Sequence, residues 1–166
     1  MDRISLDTPR KNLVISFAQF RPEKQHRLQL EIWKDVLDQG VPEDSHFTMI
    51  GTVRGPSDQA IVDDLDSYAK SLGIRDRVSF EINQKRDRIY TLFSQAKVAM
   101  HTMKFEHFGI AIVELMASGI ITVAHKSAGP LKDIIGRSPE AVGYLAETKQ
   151  DYSFAVKLAL VNYEYP

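Results

Sequence analysis

The sequence predicts an α/β fold: three layers, with helices on both faces of a mostly parallel sheet of about six strands. Three observations predict it. Short apolar runs alternate with longer amphipathic ones along the chain. Several of the short runs, such as Leu13–Phe17 (LVISF) and Ile120–Ala124 (IITVA), carry no charge, as strands buried on both faces do. Glycines fall where helices should stop, at Gly40, Gly73 and Gly119.

The elements follow in order. Met1 to Arg10 is polar and reads as a linker or frayed edge, leaving residues 13–166 as one unit. Leu13–Phe17 is the first strand. Pro22 opens a helix, a favoured first-turn position. Leu28, Ile32, Val36 and Leu37 line its inner side, and Arg27, Glu31, Lys34, Asp35 and Asp38 the outer. Phe47–Ile50 is the second strand, with Gly51 at its C-terminal end. Ser57 or Asp58 caps the next helix, which carries Ile61, Val62, Leu65, Ala69 and Leu72. Val78–Ile82 is a strand; Ile89, Leu92, Phe93 and Ala96 mark a helix; Val98–His101 is a strand. A helix spans Ile110–Ala117 between Gly109 and Gly119, and IITVA follows it. A short helix near Leu131–Ile135, a strand at Gly143–Ala146 and a helix at Tyr152–Tyr163 complete the chain.

Composition narrows the function classes. At 166 residues the chain is long enough for a sizeable core in one domain. A net charge of −1 provides no global field for nucleic acid. The absence of cysteine rules out disulfides and thiolate metal sites. The polar lead is not a signal peptide. The longest apolar stretch is interrupted by Glu114, Ser118 and Gly119, so it is no membrane span and the fragment is expected to be soluble.

The functional signal is concentrated in Met103 to Pro130. Glu106 and Glu114 stand seven residues apart around HFGIAIV. On a helical wheel Glu114 falls between Ile110 and Ala117, not on a solvent face. A carboxylate there needs partners, either a structural Lys or Arg or ligand hydroxyls. Phe108, Gly109 and Ile110 open the helix, so their N–H groups have no partner inside it. With the helix dipole they form an anion site. A carboxylate, then free amides, then a second carboxylate can read hydroxyl, phosphate and hydroxyl in turn, the outline of a nucleotide sugar.

Parallel sheets bind ligands at the C-terminal ends of their strands. Four further groups fall there. Arg21 and Lys24 lie beside a helix start, where the dipole disfavours cations unless an anion such as a diphosphate is present. Gly51 and Gly55, in IGTVRG, permit close approach to a nucleotide or simply make a turn. Phe80 to Asn83 (FEIN) follows the third strand, with Lys85, Arg86 and Arg88 reading as a solvated helix face. Ser127, Ala128 and Gly129 precede Pro130 and leave amides at another helix start. His101, His107 and His125 lack metal-ligand spacing, and no acidic cluster is placed to hold a divalent ion. No metal or other cofactor is expected.

EHFGIAIVE resembles the E-x7-E signature of the retaining glycosyltransferases of family 4. The form HFGIAIVELMASG, then AHKSAGP, is most similar to the family's GDP-mannose-dependent α-1,2-mannosyltransferases of dolichol-linked oligosaccharide assembly. The likeness runs from about Leu13 to about Ala146. It implies a Rossmann-like domain, the C-terminal, donor-binding half of a GT-B enzyme whose N-terminal acceptor domain is absent here. It implies GDP-mannose as donor, a dolichol-linked oligosaccharide as acceptor, and a whole enzyme at the cytosolic face of the endoplasmic reticulum.

The resemblance also distributes roles. Glu106 binds sugar hydroxyls and Glu114 the ribose. Lys24 and the amides of Phe108, Gly109 and Ile110 hold the diphosphate, with Glu106 and Lys24 as the catalytic pair. The family has a Gly-Arg pair where Ala18 and Gln19 stand, and Lys24 matches its Lys. Gln19 and the nearby Arg21 join Gly51, Phe80, Ser127, Ala128 and Gly129 as donor-binding candidates. A non-catalytic nucleotide-binding module and a sugar-nucleotide epimerase are the alternatives.

Overall fold

Strand side chains alternate between two cores, which is why the central strands, Leu13–Phe17 and Val98–His101, carry no acid, lysine or arginine. The computed structural model describes residues 8–136 and 143–163, so most of the polar lead expected to be a linker lies outside the described residues. In β1, Leu13–Phe17, Val14 joins one apolar cluster and Ile15 the other. In β2, His46–Gly51, Phe47 and Met49 face the first cluster and Ile50 the second. In β4, Val98–His101, the alternation is Val98 and Met100 against Ala99. β3 is Val78–Ile82, β5 Ile121–His125 and β6 Gly143–Ala146.

The six strands form one sheet in the order β3-β2-β1-β4-β5-β6. Every pairing is parallel. The chain winds outward from β1 to β3, returns to the middle as β4, and winds outward the other way. The strand order therefore switches between β1 and β4, which opens a crevice at their C-terminal ends.

Helices cover both faces. α1 (His26–Asp38), α2 (Pro56–Ser71) and α5 (Lys149–Val161) bury Leu30, Trp33, Val36, Val62, Leu65, Tyr152 and Val156 on one side. α3 (Arg86–Gln95) and α4 (Ile110–Ala117) bury Leu92, Phe93 and Leu115 on the other. Ile112 packs separately with Ala124 and Ile135.

The boundaries differ from expectation in instructive places. Pro22 opens only a 3-10 turn, Pro22–Lys24. Gln25, at φ 54, adopts the left-handed conformation and ends it, so α1 starts afresh at His26. The buried face of α1 is accordingly His26, Gln29, Leu30, Ile32, Trp33 and Val36; the expected Leu28 and Leu37 only flank it. Neither Ser57 nor Asp58 caps α2: Gly55 does, with Pro56 behind it, and the Asp58 carboxylate accepts from the Arg54 N–H at 2.9 Å. α5 begins at Lys149, ahead of the expected Tyr152, because Thr148 and Asp151 form a reciprocal capping box.

Arg10 is tied into the domain rather than frayed. Its guanidinium donates to Phe93 O at 2.6 Å, Ala96 O at 2.8 Å and Ser118 O at 2.6 Å. It thus caps the carbonyl ends of α3 and α4 together, where a cation is favourable. Among the described residues no helix is long and apolar enough to cross a membrane.

Candidate functional site

The crevice at the strand switch is a cavity of about 460 Å³. The β1 end contributes Phe17, Ala18 and Gln19, the 3-10 turn Lys24, the β2 end Gly51, Thr52 and Arg54, β4 His101, and α4 Ala111. This is where the sheet geometry places a ligand, and it gathers Gln19, Lys24 and Gly51 from distant stretches of sequence.

Glu106 stands in the loop between β4 and α4, its side chain 17% exposed. Lys24 Nζ lies 3.1 Å from its Oε2, and His101 Nε2 lies 3.1 Å from the same oxygen. Burial alone would raise the Glu106 carboxyl. The hydrogen bond and charge of Lys24, aided by His101, outweigh it and hold the group below its usual range. Lys24 is fixed through its own backbone: Thr102 Oγ1 donates to Lys24 O at 2.6 Å and accepts from Gln29 Nε2 at 3.0 Å.

The loop bearing Glu106 is braced from behind. Phe105 N–H donates to Ser127 Oγ at 2.9 Å, and Gly129 N–H donates to Glu106 O at 2.9 Å. Ser127 Oγ also lies 2.9 Å from His125 Nδ1. Gly129 must be glycine: a Cβ there would meet His107 O at 2.4 Å and Glu106 O at 2.8 Å. Phe105 and Ala128, at φ 57 and 41, occupy left-handed conformations that only such surroundings sustain.

α4 opens at Gly109, whose φ of 58 suits glycine and whose absent Cβ leaves room for Ile134. The N–H groups of Phe108, Gly109 and Ile110 have no acceptor among the described residues. Phe108 and Ile110 are 84% and 69% exposed, while Gly109 between them is buried. The opening of α4 therefore keeps the character of an anion site.

Other expectations are corrected. Glu114 is exposed, not buried, and its carboxylate has no partner among the described residues. Only Ile112 and Leu115 of α4 are buried; its apolar Ile110 and Val113 share the open side with Glu114. The burial argument for a ligand at Glu114 therefore falls.

The amides of Ser127 and Gly129 are not free for phosphate either, being used by His125 O and Glu106 O. Ser127 and Gly129 instead brace the Glu106 loop. Arg21 lines a different groove, against Arg27, Ile61 and Asp64 between α1 and α2. Phe80 packs against Phe20 under Arg75 and does not line the crevice. Gly51 lines it, yet its lack of a side chain is first demanded by Ala18 O, which a Cβ would meet at 2.2 Å. Lys85, Arg86 and Arg88 are exposed as expected, with Arg88 paired to Glu81.

Two contributors escape the sequence reading. His101 is weighed there only as a metal ligand, and its five-residue spacing from Glu106 carries no recognisable signature. Arg54 lies inside IGTVRG, a stretch noticed for its glycines, and adds a cation to the crevice wall.

A three-layer parallel sheet with a carboxylate and a lysine at the strand switch has the outline of a GT-B glycosyltransferase domain. The chain belongs to the glycosyl transferases group 1 family, which matches residues 2–164. It is 43% identical over 153 residues to the GDP-Man:Man(3)GlcNAc(2)-PP-Dol alpha-1,2-mannosyltransferase of Dictyostelium discoideum, covering 89% of this chain and 30% of that one. The Homo sapiens protein of the same name is 38% identical over 146 residues, 86% of this chain and 30% of its own length. The chain thus spans about 30% of the length of these relatives.

Solved structures agree on the Rossmann-like fold of GT-B enzymes. Anabaena HepE, solved with UDP and glucose, superposes with a TM-score of 0.74 at 19% identity, over 92% of this chain and 39% of that one. The C-terminal domain of a glycosyl transferase group 1 protein from Francisella tularensis gives 0.71 at 21% identity, over 92% of this chain and 83% of that domain.

Proposed function

We propose that this chain is the donor-binding domain of a retaining glycosyltransferase that moves mannose from GDP-mannose to a dolichol-linked oligosaccharide. The observation that carries the proposal is the Lys24–Glu106 pair, whose lysine lines the crevice, together with the unpartnered amides of Phe108, Gly109 and Ile110 at the start of α4. The name and 43% identity of the Dictyostelium relative support the choice of donor and acceptor.

The chemistry follows from the charges. Departure of GDP builds negative charge on the β-phosphate. The α4 amides, already fixed, stabilise that charge without reorganising, and Lys24 turns to it from Glu106. Glu106 offers carboxylate oxygens to the sugar hydroxyls, and Glu114, on the open side of α4, reaches the ribose. Gln19 and Arg54 line the crevice wall beside the diphosphate. The leaving phosphate assists deprotonation of the acceptor on the same face, so the configuration is retained. Lys24 and the amides neutralise the diphosphate without requiring a divalent ion. The whole enzyme would work at the cytosolic face of the endoplasmic reticulum, where its lipid-linked acceptor is presented.

Acceptor binding would fall to a second, N-terminal domain across the cleft. Without it the acceptor is unpositioned and water is not excluded, which forfeits up to about 7–11 kcal/mol of effective-molarity advantage. The test incubates the chain with labelled GDP-mannose and a lipid-linked oligosaccharide, beside a longer protein in which the second domain precedes it. The chain alone should bind donor and transfer nothing. Equal turnover by both would overturn the domain assignment.

A further inference from the structure

We infer that His101 is a positioning residue for Glu106, keeping hold of its Oε2 when Lys24 leaves that oxygen for the donor diphosphate. The inference rests on the donor-site reading above. Lys24 Nζ and His101 Nε2 converge on one oxygen, each at 3.1 Å, while Oε1 has no partner among the described residues. The other contact of the ammonium is the Met103 sulfur at 3.1 Å, a weak acceptor. In the ligand-free site the charge of Lys24 is therefore matched by Glu106. A diphosphate draws that charge away. A carboxylate with a side chain only 17% exposed would then lose its main partner.

His101 is built to remain. Its side chain is 4% exposed. It is the last residue of β4, in register with Ala124 of β5, and its carbonyl accepts from the buried Tyr152 hydroxyl at 2.9 Å. Lys24, by contrast, reaches Glu106 on a long flexible stem. An ionised carboxylate can only accept, so Nε2 of His101 carries the proton. Burial and the Lys24 charge lower the imidazole's affinity for a second proton, against the smaller pull of Glu106. The ring thus orients the acid without cancelling its charge, and Oε1 stays available for a sugar hydroxyl.

The experiment has two arms. Nitrogen NMR of the free chain reads the His101 tautomer and needs no ligand. Nε2–H is expected, and Nδ1–H would overturn the inference. Calorimetry then compares GDP with GDP-mannose for wild type, His101→Leu and His101→Gln. The leucine variant should keep its GDP affinity and lose about tenfold in GDP-mannose affinity. Glutamine, whose amide nitrogen can stand where Nε2 does, should restore most of that loss. Equal weakening of both ligands, or of neither, would overturn the role of His101 alone. Should the leucine variant not fold, a glutamine variant that loses the preference for GDP-mannose overturns it equally. Failure of wild type to bind either ligand would overturn the donor-site reading, and this inference with it.

Discussion

The two acids of the E-x7-E segment occupy opposite kinds of ground. Glu106 is held on one oxygen by Lys24 and His101, in a loop pinned from behind by Ser127 and Gly129. Glu114, two turns into α4, is exposed beside Ile110 and Val113 with no partner among the described residues. One carboxylate is organised before any ligand arrives; under the proposed function the other takes its partner from the ligand. The contrast matches the chemistry asked of each. An acid at the reacting sugar gains from fixed geometry, because reorganisation there would add to the barrier. An acid that grips a ribose contributes only binding and can remain solvated until then.

The sharpest way to break the contrast is Gly129→Ala. Its backbone, at φ −57, tolerates alanine, so the effect is purely the collision with His107 O and Glu106 O. The braced loop should shift, costing about 1–3 kcal/mol of stability and the preference for GDP-mannose over GDP together. Thermal melts and calorimetry check both. An unshifted melt with intact preference would mean the brace is irrelevant.

Glu106→Ala comes next, with about 1.5–3 kcal/mol lost on GDP-mannose and GDP nearly unchanged. The stability that the paired Glu106 lends the ligand-free fold should persist into mild acid, as thermal melts against pH would show. The folded Glu106 titrates below its ordinary value of 4.5, so its contribution is complete above that value and is lost only as pH falls through the lower, folded one. Glu114→Ala should weaken both ligands, by about 1.5 kcal/mol because a solvated partner gains less. It should move stability by no more than about 0.5 kcal/mol. Identical losses in the two variants across both ligands would erase the distinction between the acids. The smallest effect expected is that of metal: GDP affinity in EDTA and in excess Mn²⁺ should agree within about tenfold, roughly 1.4 kcal/mol.

The same contrast explains what the sequence could disclose. Strands β1, β3 and β4 and helix α4 fall where their apolar runs and glycines put them; in β1 and β4 burial on both faces leaves little choice of residue, while β3 lies half-buried at the sheet edge. The unpartnered amides at the start of α4 are equally legible, because helix geometry alone frees them. The exposure of Glu114 is not. A wheel equates apolar neighbours with a core, whereas Ile110 and Val113 are exposed themselves. Nor is the role of Ser127, whose hydroxyl rather than its amide does the holding, across 22 residues of chain. His101 becomes recognisable only when β4 and the 3-10 turn meet, and the left-handed Gln25 that delays α1 has no glycine to announce it.

The central claim is that the crevice between β1 and β4 receives a guanosine diphosphate sugar, with Glu106 reading the sugar. Calorimetry of the wild-type chain against GDP-mannose, GDP, UDP and ADP tests it most directly. The account predicts that GDP binds more tightly than UDP or ADP, and GDP-mannose more tightly than GDP. Binding of none of the four, or equal binding of GDP and GDP-mannose, would contradict it.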